Sequence, residues 1–391
     1  MSLTNNQQEE LIRFTQEMVR CPGFSGEEAG TAEIVKRQMA CLGFDSVEVD
    51  SWGNVIGTIH GHNPGPTIVF DGHMDVVPVR MPELWAREPY GAEISDGKIW
   101  GRGSTDMKGG LAASLCAAGF MDRSKINGKI LVTATIAEEL MIGKGLGKAL
   151  EDREIDAVIT CEPTGINHLA VAGVGRTTVE MTVHGQVAHS SQPQLGDNAI
   201  YRALDASQYI RSMSRREDPF FGQEVIELVE MKSKPTPGNG SVPDFCWLLW
   251  ECRLLPKETR ESFLSRFESA LSNFPGKEKL ALKIGEISLN TYTGNHLIYE
   301  DFLEAWCTPP DDSFRLLVEK AINHAGIPFT PIIFRGCTNV NVSAGALKIP
   351  SLIYGPGSLA LAHKPNEYLE IEELLLSAEV YSNIIELTNE H

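Results

Sequence analysis

The sequence predicts an α/β protein: a mostly parallel sheet with helices on both faces, interrupted by a smaller domain of β-α-β-β-α-β order. Three observations predict it. Short apolar runs alternate with helical stretches up to about residue 174, the rhythm expected of a parallel sheet covered by helices. Near Gly175 the pattern changes to the strict alternation of a half-buried strand. After Tyr292 the first style returns, so one α/β domain encloses another.

The elements follow in order. Thr4 or a neighbouring asparagine can cap a first helix in which Leu11, Phe14, Thr15, Met18 and Val19 recur at helical spacing. Ser25 is placed to cap a second, over residues 26–44, which Gly43 ends. TIVFDGHMD, KILVTATIAEE and DAVITCEP then read as strands, and KGGLAASLCAAGFMDR and GLGKALEDR as helices. Asp96-Gly97, between AEIS and KIWG, is a hairpin turn signal. In TTVEMTVH, Val179, Met181 and Val183 share one face. A helix from Asn198 to about Met213 follows, then the strand EVIELVEMK and the turn KPTPGNGSVP. The strand FCWLLWECRLL, the helix ETRESFLSRFESALSNF and the strand LALKIGEISL complete a ferredoxin-like plan. The chain closes with the helix DSFRLLVEKAINHAG, the segment PFTPIIFRG, the strand PSLIYGPG and the helix IEELLLSAEVYSNIIEL. The predicted division is residues 1–175 and 292–391 for the larger domain and 176–291 for the insertion, which is tolerated because domain termini often lie close together.

Composition narrows the function classes. A chain of 391 residues suggests two or three domains. A net charge of −18 argues against nucleic acid or an anionic membrane as partner. No window approaches the roughly 18 apolar residues of a membrane span, and MSLTNNQQEELIRF lacks the basic flank and apolar stretch of a signal peptide. Eight cysteines without a C-x-x-C pair fit free thiols in a reducing compartment. The expectation is a soluble cytoplasmic protein.

Chemistry concentrates where apolar runs end. His73 and Asp75 close TIVFDGHMD, Asp106 lies in GRGSTDMKGG, Glu138-Glu139 end ILVTATIAEE, Glu162 follows AVITC, and His363 follows SLIYGPGSLALA. An open parallel sheet brings the C-terminal ends of its strands to one edge, where ligands bind, so these groups converge. Two histidines and several carboxylates suit Zn²⁺, Co²⁺ or Mn²⁺. Five ligands exceed the need of one four-coordinate ion, which points to a pair with a bridging carboxylate. Taken singly, each residue is more often a loop or solvated group than a ligand. Gly72, Gly101, Gly103, Gly109 and Gly110 flank the set where close backbone approach is useful. The chain has no H-E-x-x-H and no G-x-S-x-G, and GKGLGKAL resembles a phosphate loop only superficially, with Ala149 where Ser or Thr is needed.

DGHMDVVP, WGRGSTDMKGG, TATIAEE, CEPT, GQVAHSSQPQLGDNAI and GPG…AHKPNEY, in that order, resemble the dinuclear-zinc amidohydrolase and peptidase family of acetylornithine deacetylase, succinyl-diaminopimelate desuccinylase, aminoacylase-1 and carboxypeptidase G. The resemblance implies a catalytic domain with a lid that dimerises, and two divalent ions per chain, zinc before cobalt or manganese. By the same resemblance His73 and Glu162 hold one ion, His363 and Glu139 the other, and Asp106 bridges them with a cis peptide to Met107. Asp75 orients the His73 imidazole, Glu138 is the general base, and His189 stabilises the oxyanion, often in the partner's site. Asn239, Arg253, Thr338 and Gly357 match positions that hold substrate. Departures occur there: Gly240 and Ser241 break an Asn-x-x-Pro lead-in, Cys252 stands where Asp is frequent, and Asn339 and Asn341 replace an Asp and a basic residue. These departures bear on the substrate side chain. The implied activity is metal-dependent cleavage of the amide bond in a small N-acyl amino acid or dipeptide, as a deacylase or carboxypeptidase. A non-catalytic binding protein of this fold and a mononuclear cyclic-amide hydrolase are the alternatives.

Overall fold

A computed structural model describes residues 3–388. It divides into two compact units: unit 1 comprises Met1–Gly173, Ser288–Leu297 and Trp306–His391, and unit 2 comprises Val174–Ile287 and Ile298–Ala305.

Unit 1 is built on a nine-stranded sheet. Its centre consists of four adjacent parallel strands, in the order Asn127–Thr135, Asn63–His73, Ala157–Thr160 and Ser351–Ile353. Antiparallel pairs extend it on one side through Val55–His60 and Ser46–Val49. Both faces are covered, which is why the central strands read as unbroken apolar runs. Phe70 packs edge-on against Tyr381 of the closing helix Ile371–Leu387. Val69, pointing the other way, joins Leu146 and Ala149 of the short helix Lys144–Ala149.

The first helix, Asn5–Arg20, has Thr4 in a capping box with Gln7 and buries Leu11, Phe14, Thr15, Met18 and Val19. The second departs from expectation. It spans only Ala29–Cys41, and Ser25 does not cap it. The Ser25 hydroxyl instead donates to Asp75 Oδ2 at 2.6 Å, and the Glu28 carboxylate turns back to accept from Gly26 and Ala137. The helix Gly109–Phe120 is buried from Gly109 to Ala118. A Cβ at Gly110 would stand 1.9 Å from the Cys161 carbonyl oxygen, so only glycine lets this helix lie against the neighbouring strand end.

Unit 2 carries an antiparallel sheet in the order Val225–Lys234, Phe245–Leu254, Gly175–His184, Leu280–Ile284, with helices Ala199–Arg211 and Arg260–Ala270 between strands. This is the ferredoxin-like order. Its core joins Val179, Met181 and Val183 to Trp250, Phe263 and Phe267. The predicted strand LALKIGEISL is in fact two. Gly285 donates to Thr178 O, where a side chain would meet Thr178 Oγ1 at 2.2 Å, and beyond it Glu286–Asn290 leaves to pair with His296–Glu300. Among the described residues no helix is long and apolar enough to cross a membrane.

Candidate metal centre

Register brings the site together. His73 lies opposite Thr135, Asp71 opposite Thr160, and Ile353 opposite Thr160, so the parallel strands end side by side. The chain leaves those ends through His73, Ile136–Glu139, Glu162 and the loop that carries His363. Asp106 arrives separately, from the turn between the hairpin Glu93–Ser95/Lys98–Trp100 and the helix at Gly109. Its peptide to Met107 is cis.

Side chains from these segments converge. His73 Nε2 is 3.2 Å from Asp106 Oδ1, 3.7 Å from Glu162 Oε1 and 3.9 Å from Glu138 Oε2. His363 Nε2 is 3.0 Å from Glu139 Oε2 and 3.3 Å from Asp106 Oδ2. Asp106 therefore touches both imidazoles. Two triads, His73–Glu138–Glu162 and His73–Asp106–Glu139, each bring three ligand atoms within 4.8 Å of one another. All are buried or nearly so except His363, which is about half exposed.

The electrostatics are those of a cation site. Burial, then the Asp106 charge, pushes the Glu162 carboxyl up to about 8. Burial also raises Glu138 well above the carboxylate range, and raises Glu139. For His73 burial works downward, but the Asp106 bond and the charges of Glu138, Glu162 and Asp75 outweigh it and hold the ring well above its usual value. Bonds to Asp106 and Glu139 lift His363 to about 10. Asp106 goes the other way: burial alone would raise it, and the two imidazoles bring it below its usual value. Crowded carboxylates thus draw positive charge inward, and Glu138 Oε1 is buried without a partner. Four carboxylates and two imidazoles with an orphaned oxygen among them fit divalent metal.

The surroundings fix the donor atoms. His73 Nδ1–H donates to the Asp75 carbonyl at 2.9 Å, which turns Nε2 toward the carboxylates. The Asp75 carboxylate is farther from that ring, at 3.5 Å. Its two oxygens accept instead from the N–H groups of Glu138 (3.0 Å) and Glu139 (3.1 Å). The two preceding amides are held likewise, Ile136 by Asn54 Oδ1 at 2.9 Å and Ala137 by Glu28 Oε1 at 3.0 Å. Four successive N–H groups therefore end on three side chains, which holds Ala137 at φ +57°. Glu367 does the same for Asp106: one oxygen accepts from the Thr105 and Asp106 amides and the other from Arg102. Sequence reading missed Glu28, Asn54 and Glu367. Nothing in their spacing separates them from ordinary surface residues.

The residues matched to substrate sites stand as follows. Thr338 is buried and donates its hydroxyl to Glu162 Oε1 at 2.9 Å, at the edge of the carboxylate cluster. The Gly357 amide is committed to Glu373, and its φ of +86° demands glycine. Asn339, read as bearing on the substrate, is buried instead: its amide donates to Asp71 and Thr135 and its oxygen accepts from Gly143. Within unit 2, Arg253 pairs with Glu251 at 2.6 Å, Cys252 faces the core, and Asn239 is exposed at φ +45°. His189 is exposed there, with Nδ1 turned to the Ser191 hydroxyl at 2.7 Å and the Ser191 amide at 3.2 Å, so that Nε2 is the nitrogen directed away from its own loop. In TYTGNHLIYEDFLEAW, Tyr292 binds the Gly53 carbonyl and Trp306 is buried, which makes these aromatics packing residues.

Residues 69–387 match peptidase family M20/M25/M40. The chain belongs to that family. It is a metallopeptidase-family hydrolase of amide bonds. The uncharacterized protein YgeY of Escherichia coli K12 is 28% identical over 389 residues, covering 96% of this chain and 94% of that one. The succinyl-diaminopimelate desuccinylase of Cereibacter sphaeroides KD131 is 34% identical over 209 residues, 50% of this chain and 55% of that enzyme. Among solved structures, the aminopeptidase PepT of Bacillus cereus has the same fold, with a TM-score of 0.75 at 23% identity over 98% of this chain and 99% of that one. So does Bacillus subtilis YXEP, described as a dinuclear metal binding peptidase, with a TM-score of 0.73 at 14% identity over 99% of each chain.

Proposed function

We propose that the chain hydrolyses the amide bond of a small N-acyl amino acid or dipeptide with two divalent ions, zinc first among them. The observation that carries this reading is the convergence of His73, Asp106, Glu139, Glu162 and His363 at adjacent strand ends. In this reading His73 and Glu162 would hold one ion and His363 and Glu139 the other, with Asp106, which touches both imidazoles, available to each. When bound, the ions polarise the substrate carbonyl and acidify a water.

The chain's own residues do the rest. Glu138, with Oε1 buried without a partner and Oε2 3.9 Å from His73 Nε2, takes the proton of the attacking water and returns it to the leaving nitrogen. His189 donates from Nε2 to the developing oxyanion. It acts in the site of a second copy, joined through unit 2, the lid at residues 176–291 of the proposed division. The free edge of Val225–Lys234, with Val225, Val229 and Met231 exposed, supports such a pairing. Asn239 and Arg253 of the lid, with Thr338 and Gly357, border the substrate. The activity belongs to the cytoplasm.

The test is amine release from a panel of N-acyl amino acids and dipeptides, with and without added Zn²⁺ or Co²⁺. Metal-dependent cleavage supports the reading, and its absence across the panel in metal-replete protein refutes it. Glu138→Gln is expected to retain two metal equivalents and lose about 10²–10⁴-fold in turnover.

A further inference from the structure

Beside His363 lies a cavity of about 250 Å³ wholly within unit 1. Arg80, Arg102 and His363 line it together with Val77, Met81 and Trp85, and no aspartate or glutamate does. In a chain of net charge −18 that is a local reversal of sign. The two guanidiniums differ in how far they are committed. Arg102 is buried, with one nitrogen bound to Glu367, its face over the Trp85 ring at 5.4 Å, and its Nε without a partner. Among the described residues no hydrogen bond or ion pair engages Arg80.

We infer that this cavity is a subsite for a substrate carboxylate, with Arg80 as the specificity-determining residue. The planar fork of a guanidinium binds a carboxylate through two hydrogen bonds, and the half-buried Val77 and Trp85 offer apolar contact beside the exposed Arg80. At about 30 Å³ per water-sized group, the volume takes roughly eight heavy atoms, the size of a short dicarboxylic acyl chain or one amino-acid side. Contact with His363 puts the subsite next to the proposed ligands, so the inference rests on the proposed function for its meaning as a substrate site. With Arg102 held by Glu367, Arg80 is the guanidinium of this cavity left to meet a ligand.

The experiment is calorimetric titration of the metal-loaded protein at 0.15 M salt with three matched compounds: N-acetylalanine amide, N-acetylalanine, and N-succinylalanine amide. The first carries no carboxylate, the second has it on the amino-acid side, and the third has it on the acyl side. Wild type and Arg80→Gln are compared. The expected result is that one charged compound binds roughly tenfold or more tighter than the neutral one, and that Arg80→Gln abolishes this preference while leaving the neutral compound's affinity unchanged. Which charged compound is preferred names the side. Equal weakening of charged and neutral compounds, no charge preference in wild type, or no binding at all overturns the subsite. Amine release followed in the same samples separates the two readings. Arg80-dependent binding without hydrolysis sinks the proposed reaction alone, and hydrolysis indifferent to Arg80 sinks the subsite alone.

Discussion

Single carboxylates carry much of this site, and two of them do so without meeting a metal. Asp75 holds the amides of Glu138 and Glu139 with one oxygen each. In Asp75→Asn an amide nitrogen must face one of those N–H groups, donor against donor, and the ligand loop is released. Metal affinity is expected to fall about 10–100-fold, read by competition with a chromogenic chelator; unchanged affinity would refute the argument. Glu28 offers a pH test. Burial, then the Asp75 charge, pushes its carboxyl from 4.5 up to about 7. The folded chain therefore binds this proton more tightly than the unfolded chain does. Stability from this group is present below pH 4.5 and is lost as pH rises to 7, by a total of roughly 3 kcal/mol. Glu28→Gln keeps an acceptor for the Gly26 and Ala137 amides and removes the charge. Urea midpoints at pH 5 and pH 8 should differ less in the mutant than in wild type, and a larger difference would reverse the sign.

Elements succeed or fail at their ends. The strands and the inserted ferredoxin-like unit were legible because their periodicity is strong: Val179, Met181 and Val183 point inward as their alternation predicts. The helix at Ala29 was legible in existence but not in its cap. Ser25 is an ordinary cap by local rules, and a tertiary partner, Asp75, takes its hydroxyl instead. The break at Gly285 was invisible for the same reason, since Thr178 comes from a strand about a hundred residues earlier. Close packing at Gly110 makes a prediction at this scale. In Gly110→Ala the new methyl meets the Cys161 carbonyl one residue before Glu162, so the helix must move away from the strand end. The cost is expected at about 1–3 kcal/mol, with metal affinity falling alongside it; chemical denaturation and chelator competition measure the two. Loss of stability with full metal affinity would mean that the helix does not set Glu162.

For the whole molecule, the division of labour between chains remains the question with the most consequence. The convergence of His73, Asp106, Glu139, Glu162 and His363 was readable from sequence because a parallel sheet gathers its strand ends by rule, whereas the burial of Asn339 and Cys252 was not, since the groups that enclose them come from distant segments. The proposed dimer adds a second locus: His189, donating from Nε2 to the oxyanion in the neighbouring copy's site. If each active site combines Glu138 of one chain with His189 of another, two inactive proteins can repair each other. Mixing His189→Ala with Glu138→Gln under subunit exchange yields heterodimers in which one of the two sites has both residues intact. With random pairing half of all dimers are mixed, so about one quarter of wild-type activity should return, as the pairing statistics require. A cis arrangement gives no such recovery, because every site then carries one lesion. Sedimentation of the mixture must show the dimer, and each parent alone must stay inactive; recovery absent from a verified heterodimer removes the trans role of His189 while leaving the metal centre untouched.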